Sequence, residues 1–370
     1  MKFTCDKSLL INNINIVSKA VSSRTTLPIL ECILLSADKS GIKMTGNDLE
    51  MGIETSYIEA EVIEEGSIAI EAKLFSEIIK RLPDNGWVII EVSPDNLVLI
   101  KCGKAEFKIM GLPGDEFPVI PNVERNNEYK ITGQHLRDMI RQTIFSVSVD
   151  ESKPVLTGEL FEIDANSLKL VAVDGFRVAF RSLILDGENP DISVVVPGKT
   201  LNEISKILPS DSEAKVSICF TDKHMMIQMD ECTVVSRLLD GEFLKYKQIL
   251  EADASTIVKI NRDEFLKALE RASLISKETK KNPVKLDIER DIIKISSNTE
   301  TGTSYDELTC EVEGEALSIA FNPKYLIDAL KVIDDDDTYM QFTTALSPCI
   351  ITGEENCGYK YLVLPLRVNR

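Results

Sequence analysis

Few side chains in the 370-residue sequence are arranged for chemistry, and the most suggestive set lies in its middle. Leu170 to Phe180 reads LVAVDGFRVAF, an apolar strand that breaks at Asp174-Gly175 and resumes through Phe176, Arg177 and Val178. Asp-Gly between apolar runs predicts a tight turn whose side chains border a groove. An acid three residues from an arginine would suit a hydrolase or transferase working in a cleft. The rest of the chain supplies no partner for that chemistry. The only histidines, His135 and His224, lack a neighbouring Ser or Cys elbow, which argues against a histidine-based triad. VVVPGKT at Val194 to Thr200 fails as a phosphate loop because Ser193 stands where the first glycine is required. There is no GxGxxG and no HExxH, and the carboxylates are scattered as solvated charges. Eight cysteines (Cys5, Cys32, Cys102, Cys219, Cys232, Cys310, Cys349, Cys357) form no CxxC pair, so no metal or other cofactor is expected and buried reduced thiols are the reading. Binding is favoured over catalysis.

The cations are better organised. Lys73, Lys199 and Lys324 each fall in the first turn of a candidate helix, where a positive charge opposes the helix dipole. Recurrence at an unfavourable position points to an external anion, and a helix N-terminus beside a lysine suits a phosphate.

The elements that must carry these residues repeat three times. Asp48 of Met44-Thr-Gly-Asn-Asp48 lies 126 residues before Asp174, and Ile295-Ser-Ser-Asn-Thr299 lies about 125 after the motif. Each third opens with a short strand and an amphipathic helix: Leu10, Ile14, Val17 and Val21 share one face, then Leu136, Met139, Ile140, Ile144 and Val147, then Phe265, Leu269 and Ala272. Asp6, Thr132 and Asn261 stand at the capping positions. A second helix recurs from Ala72, Gly198 and Pro323, stopped by Leu82-Pro83 and Leu208-Pro209 in the first two copies. Phe117 and Phe243 close those copies, again 126 apart. The pattern predicts an α+β chain of three repeated domains, 1–126, 127–252 and 253–370, with boundaries in the polar stretches ERNNE and EADAS. Asp334 to Asp337 reads as a solvated turn between helix and strand.

The net charge of −18 is unevenly placed: the six candidate helices carry +8, leaving −26 on everything else. Charges across a domain's thickness are screened beyond the Debye length of about 8 Å, so a basic helical face can meet nucleic acid despite an acidic exterior. No run of 18 uncharged apolar residues and no leader-like N-terminus is present, which predicts a cytoplasmic protein.

The opening MKF, Arg24-Thr-Thr-Leu-Pro-Ile-Leu30, Asn47-Asp48-Leu49-Glu50, Val173-Asp174-Gly175-Phe176-Arg177, Asp240-Gly241-Glu242-Phe243 and Tyr361-Leu-Val-Leu-Pro365-Leu-Arg367 together resemble the bacterial sliding-clamp family, the beta subunits of the replicative DNA polymerase. The resemblance covers the whole chain. It implies two protomers closed head to tail into a ring of six like domains, with helices lining the hole, antiparallel sheets outside, and no catalysis. Duplex DNA, the polymerase, the clamp loader and other replication and repair proteins are the implied partners. Arg24, Lys73, Lys153 and Lys199 are the implied DNA contacts. The implied groove for partner peptides comprises Leu156, Gly175, Phe176, Arg177, Val178, Leu244, Ile249, Asn322, Tyr325, Val363, Leu364, Pro365, Leu366 and Arg367. Phe107 and Ile109 at one end, and Leu274 and Ile275 at the other, are the implied dimer interface. Pro154, Val155, Leu244 and the tail Val368-Asn369-Arg370 depart from the family pattern.

Overall fold

The computed structural model describes residues 1–22, 25–84, 86–125, 127–187, 189–251, 253–276, 283–300, 302–354 and 358–367. Arg24, Cys357, Val368–Arg370 and the boundary residues Asn126 and Ala252 lie outside the described residues. The chain divides into two compact units, Met1–Gln134 with Lys206–Leu238, and His135–Ser205 with Leu239–Arg370.

The first unit holds a five-stranded sheet in the order Glu61–Glu64, Lys2–Asp6, Trp87–Val92, Leu97–Cys102, Ala105–Met110. It also holds a nine-stranded sheet running from Leu112–Pro113 to Glu128–Thr132. That sheet is continuous because Met51–Thr55 pairs antiparallel with Cys232–Arg237, Ile53 opposite Val234. Helix α1 (Lys7–Val17) forms where the periodicity predicts, with Leu10, Ile14 and Val17 at most 1% exposed. Asp6 caps it, its carboxylate accepting the Ser8 (2.8 Å) and Leu9 (3.3 Å) amides. Helix α2 (Ala72–Arg81) buries Phe75 and Ile79 and stops before Leu82-Pro83. Lys7 does not join a basic surface as its place in the helix charge count implies. It is buried, donates to the Leu82 carbonyl and pairs with Asp84 at 2.8 Å.

The second unit is built on another nine-stranded antiparallel sheet. Its order is Ile192–Pro197, Gly158–Asp164, Ser167–Val173, Arg177–Ile184, Tyr359–Val363, Cys349–Thr352, Asp337–Phe342, Thr256–Asn261, Glu311–Gly314. A four-stranded sheet runs Gly302–Thr309, Ile292–Thr299, Val284–Glu289, Leu317–Phe321. Helices α3 (Gly133–Thr143) and α4 (Gly198–Ile207) lie almost wholly in this unit, together with α5 (Arg262–Ser276) and α6 (Pro323–Leu330). Phe265, Leu269 and Ala272 of α5 and Leu326 and Leu330 of α6 pack with Ala179, Tyr361 and Met340 on one face of the nine-stranded sheet. Its other face carries a separate cluster around Val178, Leu362 and Ile350.

The run Asp334–Asp337 is the bend between α6 and the strand Asp337–Phe342 that its composition predicts, with Asp334 and Asp336 exposed, and it is also held by donors from other elements. Asp334 accepts from Arg141 (2.6 Å) and Gln142 (3.1 Å), Asp335 accepts the Tyr359 hydroxyl, and Asp337 pairs with Lys259 at 3.3 Å. Four acids in a row are tolerated because donors from other elements reach three of them.

Candidate functional site

The Asp174 turn is locally determined. Asp174 Oδ1 accepts the amides of Phe176 (2.9 Å) and Arg177 (3.1 Å), and Gly175 takes the left-handed conformation at φ +91°. The upstream copy uses the same device: Asp48 Oδ1 accepts the amides of Glu50 (3.1 Å) and Met51 (2.8 Å), with Leu49 in the left-handed position at φ +73°. A leucine there is strained where glycine is not.

The turn projects Phe176 outward, 55% exposed, and sends Arg177 inward, 7% exposed. Arg177 Nε donates to Asp174 Oδ2 (2.9 Å), Nη1 to Asp328 of α6 (2.7 Å) and Nη2 to the Phe145 carbonyl (2.6 Å). Its guanidinium lies over the rings of Tyr325 (4.6 Å) and Phe145 (5.3 Å). Both Asp174 oxygens are therefore engaged and all three guanidinium nitrogens of Arg177 donate, so the two residues are held in a structural network and not set out for acid–base or nucleophilic work. The pair positions α6 against the turn.

The expected groove residues fall entirely within the second unit. Val178 (4% exposed) stands opposite Leu362 in the register and clusters with Leu160, Val195, Tyr246, Leu250 and Ile350, with Val155 and Leu156 packed beside them. Phe176 stacks on Tyr325 with ring centroids 6.2 Å apart, and its carbonyl accepts the Leu364 amide at 2.9 Å. The Leu366 amide bonds the Ala320 carbonyl at 2.7 Å, so the segment after Val363 is tied at two points. Leu364 is 38% exposed, Pro365 and Leu366 are half-buried, and Arg367 is exposed. Asn322 caps α6 by accepting the Lys324 amide at 3.1 Å. Val363 is 1% exposed and belongs to the helix-side core, so it supports the surface without lining it.

Leu244 (48% exposed) and Ile249 (40%) lie on the segment Asp240–Leu250, which is held by the packing of Tyr246 and Leu250 and by two carboxylates, Asp164 lying 3.7 Å from the Lys247 ammonium. Glu162 accepts the Tyr246 hydroxyl at 3.0 Å and the Lys247 ammonium at 2.6 Å. Lys247 keeps its proton more tightly than usual because of that bond, and burial raises the Tyr246 phenol well above its ordinary value. Sequence reasoning missed Tyr246, Glu162, Leu362 and Ile350. Strand alternation was the available signal, since it places Leu362, not Val363, on the face of Val178.

The expected DNA contacts divide. Lys73 is exposed in the first turn of α2, but the helix N-terminus is already occupied by the Glu71 carboxylate, which accepts the Lys73 (3.0 Å) and Leu74 (2.7 Å) amides. The expectation of an open N-terminal anion site therefore fails for α2, and Lys73 presents charge alone. In α6 Asn322 caps the terminus and Lys324 pairs with Asp328 one turn on. Lys153 and Lys199 are exposed.

At the expected interface, Phe107 (39% exposed) and Ile109 lie on the edge strand Ala105–Met110, on the same face as the buried Val98 and Ile100. Leu274 is 63% exposed on the last turn of α5, and Ile275 lies beside Gly302, where the edge strand Gly302–Thr309 begins. All seven described cysteines are free and buried. Burial pushes Cys5 and Cys232 up to about 12, which keeps them as thiols. Among the described residues no His/Cys/Asp/Glu group could hold a metal ion, and no helix is long and apolar enough to cross a membrane.

Comparison with known proteins covers the whole chain. Family models for the DNA polymerase III beta subunit match in order, the N-terminal domain at residues 1–121, the central domain at 130–245 and the C-terminal domain at 247–367. The chain is 39% identical to the beta sliding clamp of Bacillus subtilis, over 99% of this chain and all of that one. It is 37% identical to that of Halalkalibacterium halodurans, with the same coverage. Among solved structures, a putative DNA polymerase III beta subunit from Eubacterium rectale superposes with a TM-score of 0.96 at 42% identity, and the Bacillus subtilis sliding clamp with 0.96 at 38%, both chains fully covered in each case.

Proposed function

The chain belongs to the DNA polymerase III beta subunit family, and we propose that it is a DNA sliding clamp, a processivity factor that encircles duplex DNA and tethers the replicative polymerase. The observation that carries this reading is the end-to-end likeness to proteins called beta sliding clamps, with all three family domains present in order. The domains are taken as 1–126, 127–252 and 253–370.

The ring would close by pairing the edge strand Ala105–Met110 of one protomer with Gly302–Thr309 of the other. The remaining edges of the two smaller sheets support this choice. Glu61–Glu64 carries two glutamates, and Leu317–Phe321 is covered by the bond from Leu366. Phe107 and Ile109, apolar yet uncovered at an edge, would meet Leu274 and Ile275. Encirclement replaces tight binding by a topological link, so Arg24, Lys73, Lys153 and Lys199 need only weak, sequence-blind phosphate contacts. Partner peptides would dock on Phe176, Leu156, Val178, Leu244, Ile249, Leu364 and Leu366, with Arg177, Tyr325 and Asn322 fixing the wall behind them. The protein would act in the cytoplasm without a cofactor and without turnover of its own, loaded by a separate clamp loader.

The test is topological. Light scattering should give a dimer, and protein loaded onto nicked circular plasmid should be retained through gel filtration and lost after a single linearising cut. A monomer at micromolar concentration whose retention ignores the cut would refute the reading.

A further inference from the structure

We propose that Lys324 and Asp328 of α6 are positioning residues for the peptide groove, and that duplex DNA held in the ring acts on the groove through them. The inference rests on the ring and groove readings above and links the two sites.

One carboxylate oxygen carries the connection. Asp328 Oδ2 accepts Arg177 Nη1 at 2.7 Å and also the Lys324 ammonium from one turn earlier on the helix. The two donors are held very differently. Arg177 is 8% exposed, and its other nitrogens are fixed by Asp174 and the Phe145 carbonyl. Lys324 is 67% exposed on a flexible stem. A lysine preceding its acid at i, i+4 is the weaker order of that pair, and a cation in the first turn opposes the helix dipole. The Lys324 bond is therefore the one that yields to a phosphate.

The groove wall stands on the far side of Arg177. Its guanidinium lies 4.6 Å from the centre of the Tyr325 ring, and that ring stacks on the exposed Phe176, whose carbonyl holds the Leu364 amide. When Lys324 is drawn to a phosphate, Asp328 Oδ2 serves Arg177 alone, and an unshared charge-assisted bond holds the guanidinium more firmly. Tyr325 and Phe176 then lose less freedom when a peptide docks, so its affinity rises. By linkage the docked peptide raises the affinity for DNA by the same factor.

The repeats show that this connection is particular to the groove. Lys73, Lys199 and Lys324 occupy the same place in their helices, each with an acid four residues on, Glu77, Glu203 and Asp328. Since Lys73 and Lys199 are expected DNA contacts, equivalence gives Lys324 the same role. At the Asp48 copy of the turn, however, Met51 stands where Arg177 does, so the same connection cannot form there.

The probe is a fluorescein-labelled hexapeptide carrying two leucines and one phenylalanine, titrated by anisotropy against free protein and against protein loaded onto nicked circular plasmid. The loaded parent should bind it roughly two- to threefold more tightly than the free parent, the size being limited by what an exposed ion pair is worth. A linearising cut should return the affinity to the free value. Free Lys324→Met should already match the loaded parent and gain nothing on plasmid. Asp328→Asn should bind more weakly and also show no gain, whereas a merely structural Asp328 would leave the gain intact. Lys331→Met removes a cation from the other end of α6, where Lys331 pairs with Glu270 at 2.9 Å, and should keep the full gain. Equal affinities of loaded and free parent, or a gain that survives in Lys324→Met, would overturn the inference. Failure of the parent to stay on circular plasmid refutes the ring reading, and hexapeptide binding unchanged in Phe176→Ala and Leu366→Ala refutes the groove reading; either result takes this inference with it.

Discussion

Replacing Glu159 by glutamine isolates one buried acid whose effect on stability can be worked out from its surroundings. Glu159 has no exposed surface, and its Oε1 has no hydrogen-bond partner among the described residues. Its Oε2 lies 3.0 Å from the Thr143 hydroxyl, whose oxygen is also 2.8 Å from the Met139 carbonyl. A hydroxyl has one proton to give. If that proton goes to the Met139 carbonyl, which can only accept, the bond to Glu159 requires a protonated carboxyl donating to Thr143. The geometry thus favours the neutral acid, and burial pushes its pKa from 4.5 up to about 8, the Thr143 bond opposing this only in part. The sign follows from linkage: the folded state holds a proton that the unfolded chain releases near 4.5, so stability is fully present below that value. It is lost as pH rises toward 8 and levels off above. Between pH 5 and pH 7 the loss is about 2.5 kcal/mol by this reckoning. Glu159→Gln removes the titration. One amide N–H can replace the carboxyl donor to Thr143, and the second, without an acceptor, costs about 1 kcal/mol at every pH. The assay is urea denaturation of both proteins at pH 5, 7 and 8 and fixed protein concentration. Subtracting the variant from the parent at each pH cancels all other titrating groups. The parent should lose about 2.5 kcal/mol relative to the variant between pH 5 and 7. A difference unchanged within about 0.5 kcal/mol would mean Glu159 is ionised in the folded protein, and would refute the reasoning.

Asp328→Ala should lower stability by about 3 kcal/mol, because it strips one of two carboxylates from a guanidinium that is 8% exposed; denaturation midpoints read this directly. Arg177→Lys should lose a similar amount despite keeping the charge, since an ammonium cannot serve Asp174, Asp328 and the Phe145 carbonyl in their fixed directions. Tyr246→Phe and Glu162→Gln should each weaken binding of an apolar-anchored peptide about three- to tenfold by loosening the segment that carries Leu244 and Ile249. The double variant should lose about the sum of the two in calorimetry, because Glu162→Gln keeps an oxygen that can accept the Tyr246 hydroxyl and loses the Lys247 ion pair, which Tyr246→Phe leaves in place; a strongly sub-additive loss would contradict that division.

Much of the architecture was legible in the chain itself. The helices containing Leu10, Ile14 and Val17, or Phe265 and Leu269, announce their buried face at a period that only a helix satisfies. The turn at Asp174 is equally local: an aspartate accepting the next two free amides and a glycine free to adopt positive φ are set by three adjacent residues. The family resemblance added the residue assignments that spacing alone could not supply. Tertiary structure decided the rest where the deciding group is distant in the chain, as for Lys7 and Arg177, while for Lys324 and Lys73 the partner is a near neighbour that the charge count overlooked. Lys7 and Lys324 count as surface charge in sequence, yet Asp84 and Asp328 neutralise them. Glu71 occupies the helix terminus that Lys73 seemed to leave open. Arg177 reads as a groove residue, but it turns inward because Asp328 and the Phe145 carbonyl, which no local pattern connects to it, converge on its guanidinium. The partition has a physical cause: periodicity and capping act over one or two helical turns, whereas the fate of a charge depends on which opposite charge the fold brings within about 4 Å.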